Sequence, residues 1–157
     1  MIIRNRFFSV IHQNMFRLTI SGLLYFSVSC SPDMQDDAIP FVPFSPIVLN
    51  LNLPTYVALR SDGGHVSIDG GVRGIILYRK SASEYLAFEQ NCSYQPNNAC
   101  AQVMVNASHL YMEDACCGST FNFSNGSPSG GPAWRPLRQY RTSSVGSELS
   151  ITDDIIE

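Results

Sequence analysis

The sequence predicts an all-β fold made of short antiparallel strands. Three observations carry that prediction. Apolar and polar residues alternate over short runs, as in Leu49-Asn50-Leu51-Asn52-Leu53, which is the period of a half-buried strand. Glycine pairs at Gly63-Gly64 and Gly70-Gly71 mark turns at strand-like spacing. From Ile47 onward no stretch repeats its apolar residues with the period of an amphipathic helix.

Taken in order, Ile47 to Leu53 reads as the first strand, and Pro54 ends it because proline has no amide hydrogen to give a ladder. Val66-Ser67-Ile68 is a short strand between two glycine turns. Gly74 to Arg79 and Glu84 to Glu89 form a hairpin, and Gln102 to Val105 with His109 to Met112 form the next. Asn122 to Gly126 is a turn, after which Leu137 to Arg141 and Glu148 to Thr152 close the domain. The acidic tail 153–157 reads as a frayed, solvated end. Residues 47–152 are of single-domain size, enough to bury one ordinary core.

The N-terminal part reads as an address. Residues 1–29 carry Arg4, Arg6 and Arg17, no acid, and an apolar run from Leu18 to Val28. Such a run suits a signal peptide and is short for a bilayer span. Either Met1 or Met15 serves as its start. Ser29-Cys30 resembles a bacterial lipobox, which makes Cys30 the acylated residue. The acidic stretch Ser31 to Asp37 is similar to the export signal of Bacteroidetes-type surface lipoproteins, and Pro40, Pro43 and Pro46 favour extended chain. Residues 30–46 are therefore expected to be lipid anchor and tether. The expected location is the envelope of a Gram-negative bacterium, held at the outer membrane by the lipid.

Composition narrows the function. The chain has 10 basic and 13 acidic residues, a net charge of −3; without the leader's three arginines, 7 basic against 13 acidic residues leave −6. With no basic run there is no electrostatic case for nucleic acid, and Arg135, Arg138 and Arg141 read as a solvated strand face. No Ser/His/Asp motif and no phosphate-cradling glycine loop is present, so catalysis is not expected. His65 and His109 read as surface histidines, and Phe121 and Trp134 as core.

The chemistry concentrates in two segments. One is Cys92-Ser93-Tyr94. The other is Asp114-Ala115-Cys116-Cys117-Gly118-Ser119-Thr120-Phe121, followed by Gly130-Gly131-Pro132-Ala133-Trp134-Arg135-Pro136-Leu137. Together they resemble the two cluster-binding loops of the Rieske iron–sulfur family, in which Cys-x-His and Cys-x-x-His hold a [2Fe–2S] cluster. The resemblance implies an antiparallel β-sandwich with two cysteine-bearing loops. In its register Cys92 takes the first cysteine place, Tyr94 the first histidine place, Asp114 the second cysteine place and Cys117 the second histidine place. Cys116 matches a cysteine that makes a loop-to-loop disulfide in many members, with Cys100 as its implied partner.

Cys92, Cys100, Cys116 and Cys117 can pair in three ways, which the sequence does not decide. Two loop-stapling disulfides are the first expectation, and thiolate ligands for a metal or an iron–sulfur cluster the second. A phenol and a thiol in place of two imidazoles remove what gives a Rieske centre its potential. The expectation is therefore a lipoprotein without the usual cluster or other cofactor, acting as a structural or binding module toward another envelope protein. The alternative is an electron carrier with an atypical 2Fe–2S or metal centre at Cys92, Cys117, Tyr94 and Asp114, and a redox partner.

Overall fold

A computed structural model describes residues 38–156. The segment expected to be a signal peptide, Cys30 and the acidic stretch through Asp37 lie outside the described residues, as does Glu157. Among the described residues no helix is long and apolar enough to cross a membrane.

The fold is all-β and antiparallel, in two sheets. The strands are β1 (Ile47–Asn50), β2 (His65–Ile68), β3 (Ile75–Ser81), β4 (Glu84–Glu89), β5 (Val103–Val105), β6 (Met112–Asp114), β7 (Ser119–Phe121), β8 (Pro128–Gly130), β9 (Gln139–Val145) and β10 (Glu148–Ile156). Six strands form one sheet in the order β1-β10-β9-β4-β3-β2, and β5-β6-β7-β8 form the other.

Residues 75–77 of β3 and 85–89 of β4 are buried on both faces. Ile76, Leu86 and Phe88 point one way and pack with Val103, Met112 and Phe121 of the small sheet. Ile75, Leu77, Tyr85 and Ala87 point the other way, toward Leu49, Leu149, Ile151 and Tyr140. Leu49 of β1 and Val66 and Ile68 of β2, the two edge strands of the large sheet, pack into this same cluster, so that sheet curls around it. Fully burying a side chain such as Phe88 or Phe121 contributes about 2–3 kcal/mol.

Several elements differ from the sequence expectation. The first strand stops at Asn50, and Pro54–Arg60 forms a 3₁₀ turn that buries Leu59. Pro54 opens that turn, where a missing amide hydrogen costs nothing. His109 lies in the β5–β6 turn with φ 60, and β6 starts at Met112. The tail is not frayed: after a register shift Ile155 pairs with Tyr140 and Ile156 with Gln139. The proline-rich segment is tied to the domain, since Arg138 donates to the carbonyls of Ile39 and Pro40 and Phe44 packs edge-on against Tyr140 at 5.1 Å. His65 and His109 meet, with His109 Nδ1 3.4 Å from His65 Nε2, and the half-buried His65 ring stacks on Phe123. Burial first, and then the neighbouring His109, hold the His65 pKa below its usual value, against an opposing pull from the Gly63 backbone.

At the end of β4 the fully buried Glu89 carboxylate accepts four hydrogen bonds. They come from the amides of Val72 (2.8 Å), Arg73 (3.1 Å) and Asn91 (2.9 Å) and from the Tyr140 hydroxyl (2.7 Å). Gly71, at φ +60, lets the β2–β3 turn close over this carboxylate, because a side chain there would collide with Glu89 Oε2. The Arg73 guanidinium then reaches Asn91 Oδ1 and the carbonyls of Ala99 (2.8 Å) and Asn98 (2.6 Å).

Two predictions come from this network. Glu89→Ala leaves four donors unpaired, two of them fully buried, and should lower stability by about 3 kcal/mol in urea unfolding. Burial and the Glu89 carboxylate push the Tyr140 pKa up from its ordinary 10.0. The folded state then holds this proton more tightly than the unfolded chain, so its stabilisation is complete below pH ~10 and declines as pH rises beyond. Between pH ~8 and ~10.5 the stability of Tyr140→Phe should fall less than that of the unaltered protein.

Candidate functional site

Three chain segments converge at one end of the small sheet. The first follows β4. Cys92 is anchored by its amide to the Ala101 carbonyl (3.1 Å), and the Tyr94 amide turns back onto Cys92 Sγ at 3.5 Å. The second joins β6 to β7. Asp114 shapes it by accepting the Cys116 amide at Oδ1 (2.8 Å) and the Gly118 amide at its backbone carbonyl (2.8 Å). That is an Asx turn, which an aspartate makes and a hydrophobic residue cannot.

The third segment is Gly131 to Leu137. Ser119 Oγ accepts the Ala133 amide at 3.0 Å, and Ser93 donates to the Arg135 carbonyl at 2.7 Å. Both cysteine loops are therefore hydrogen-bonded to the same segment. Gly131, with φ +79, passes so close to Gly118 and Ser119 that a β-carbon would strike their backbone. Glycine there is what allows the approach.

Inside this frame the side chains of Cys92, Asp114 and Cys117 point at one another, with their donor atoms all within 4.8 Å. The two sulfurs are 3.9 Å apart, and Cys117 Sγ lies 3.3 Å from Asp114 Oδ2 and 3.1 Å from Ser119 Oγ. Cys92 is fully buried, Asp114 is 1% exposed, and Cys117 is half-buried at the edge. Burial above all, then the hydrogen-bonded Asp114 carboxylate and the neighbouring Cys117, push the Cys92 pKa well up, outweighing the Tyr94 amide. Cys92 is therefore a neutral thiol at neutral pH.

The cysteines divide differently from the first expectation. Cys100 and Cys116 form a disulfide between the two loops, whereas Cys92 and Cys117 are free. One staple stands where two were expected. The reason lies in the adjacency of Cys116 and Cys117: as Cys116 turns out to meet Cys100, Cys117 turns in, where its sulfur faces Asp114 and Ser119 as well as Cys92. Tyr94 is partly buried and packs against the same apolar cluster as Cys117.

Two aromatic expectations separate here. Phe121 is core, but Trp134 is 49% exposed and lies beneath the Arg135 guanidinium at 4.3 Å. Arg138 and Arg141 are engaged too, Arg138 with backbone carbonyls and Arg141 with Asp154 at 3.7 Å. Sequence reasoning missed Ser93, Ser119, Arg73 and Glu89. Ser119 lies within the quoted Gly118-Ser119-Thr120-Phe121 motif; Glu89 and Arg73 carry no local signal, since only the fold brings them together.

No protein-family model matches the chain, and no curated protein matches its sequence. Among solved structures it is similar to the ferredoxin of carbazole 1,9a-dioxygenase from Nocardioides aromaticivorans IC177. That match has a TM-score of 0.44 and 18% identity, covering 69% of this chain and 98% of the ferredoxin. It is also similar to a chain in the complex of reduced oxygenase and oxidized ferredoxin in carbazole 1,9a-dioxygenase, with a TM-score of 0.48 and 14% identity over 77% of this chain and 99% of that one.

The division of cysteines yields a measurable outcome. With Cys30→Ser, the native chain should show one reactive thiol, Cys117, and two after unfolding without reductant. Replacing Cys100 and Cys116 together by serine should cost about 3 kcal/mol, the value for closing a loop of this size, given their separation of 16 residues.

Proposed function

We propose that this protein is a lipid-anchored envelope protein whose Rieske-like domain holds no [2Fe–2S] cluster and serves as a disulfide-stapled structural or binding module. The donor set carries the reading. The positions that the resemblance assigns to two cysteines and two histidines hold Cys92, Asp114, Tyr94 and Cys117. His65 and His109, the histidines among the described residues, contact each other.

Geometry adds a second mismatch. In the Rieske register Cys92 and Cys117 would serve different irons, separated by the width of the cluster. Their sulfurs are 3.9 Å apart, and both lie within 4.8 Å of the Asp114 carboxylate. These residues do not fit a Rieske cluster. What the domain retains is a stiff presentation of loops: the Cys100–Cys116 bond, the Glu89 network and the shared Gly131–Leu137 segment. The partner in this reading is another envelope component, and Cys30 carries the lipid.

A second reading, an electron carrier with thiolate-held iron, draws support from the free Cys92 and Cys117. Iron and acid-labile sulfide analysis separates the two, on protein purified anaerobically from its native envelope. The expected result is a colourless protein without stoichiometric iron or sulfide. Iron and sulfide with charge-transfer absorption would replace the module reading with electron transfer. Cys30→Ser should move the protein from the membrane to the soluble fraction, and retention in the membrane would remove the lipid anchor from the proposal.

A further inference from the structure

We propose that Cys92, Asp114 and Cys117 form a site for a single divalent cation of the zinc class. The inference rests on the cluster-free reading above and says what that space accepts instead.

The donor spacing is that of one ion. Two thiolates bound to zinc at about 2.3 Å in tetrahedral geometry lie about 3.8 Å apart. Cys92 Sγ and Cys117 Sγ are 3.9 Å apart. A thiolate and a carboxylate oxygen on the same ion lie about 3.6 Å apart, and Cys117 Sγ is 3.3 Å from Asp114 Oδ2. Every donor pair lies within 4.8 Å, so side-chain rotation of about an ångström completes the triangle.

Charge points the same way. Asp114 is 1% exposed, and among the described residues no lysine, arginine or histidine forms an ion pair with it. A buried carboxylate without an ion-pair partner is costly, and a metal ion at this point would pair with it. Two soft sulfurs and one hard oxygen suit a borderline ion, whereas calcium and magnesium take all-oxygen shells. Binding releases the two thiol protons to solvent and leaves a dication held by two thiolates and a carboxylate.

The surroundings already orient these donors. The Tyr94 amide contacts Cys92 Sγ, Ser119 Oγ contacts Cys117 Sγ, and the Cys116 amide fixes Asp114 Oδ1, leaving Oδ2 for the ion. Such supports for a metal's ligands tune affinity strongly. Three protein donors leave a fourth position to water, on the side where Cys117 reaches the surface.

Anaerobic titration of cobalt(II) into the full chain carrying Cys30→Ser tests this. One equivalent should bind with tetrahedral d–d bands and a thiolate-to-cobalt charge-transfer band, and zinc should bleach both. Asp114→Asn, which keeps the acceptor for the Cys116 amide, should weaken binding by at least about tenfold. Cys117→Ser, at a half-exposed position, should diminish the charge-transfer band. Absence of both bands in protein whose two thiols titrate would overturn the site. So would bands indifferent to both substitutions, or loss of both thiols to a Cys92–Cys117 disulfide. Iron with labile sulfide in the purified protein would overturn the cluster-free reading instead.

Discussion

Everything at the cysteine end of this molecule depends on one buried carboxylate. Glu89 gathers donors from the β2–β3 turn, from the start of the first loop and from β9. The Asn91 amide and the Tyr140 hydroxyl are buried with the carboxylate and find their partner only within this arrangement. The constraint is geometric as well as energetic. With the Asn91 amide held by Glu89 and its side chain by Arg73, Cys92 has little freedom in where its sulfur goes. Arg73 also grips the carbonyls of Asn98 and Ala99, which places Cys100 opposite the second loop. The large sheet thereby sets the first half of the site, and the disulfide transmits that position to the second half.

The two sheets divide the work. β3 and β4 alternate their side chains between two apolar clusters, so they are fixed from both faces. The small sheet is built of three-residue strands that could not stand alone. It is held by Met112 and Phe121 in the shared cluster and by the hydrogen bond from the Ala133 amide to Ser119 Oγ. A loop pair on so short a sheet needs a covalent staple, and Cys100–Cys116 provides it.

The strands with clear alternation or glycine punctuation were legible in the sequence: β2 and the β3–β4 hairpin fall where the pattern puts them, whereas β9 begins two residues later than Leu137 and runs on to Val145. What misled was local chemistry with two meanings. Pro54 ends a strand and also opens a 3₁₀ turn. Asp153 and Asp154 suggest solvent, yet Ile155 and Ile156 have partners on β9 that only the fold supplies. At the site, the motif identified the participating loops, and the resemblance supplied the Cys100–Cys116 pair. It was silent on which way Cys117 faces, because that depends on Cys116 being drawn outward. It was silent on Glu89 too, since its donors come from residues 72, 73, 91 and 140.

The chain has a single tryptophan, and it stands at an informative place. Trp134 lies between Ala133, whose amide is bound by the second loop, and Arg135, whose carbonyl is bound by the first. Its indole is half in water and covered on one face by a guanidinium. Its fluorescence therefore belongs wholly to the junction of the two loops. An event that draws those loops together or lets them part changes the indole's hydration and its cationic neighbour, and the protein reports it without a label.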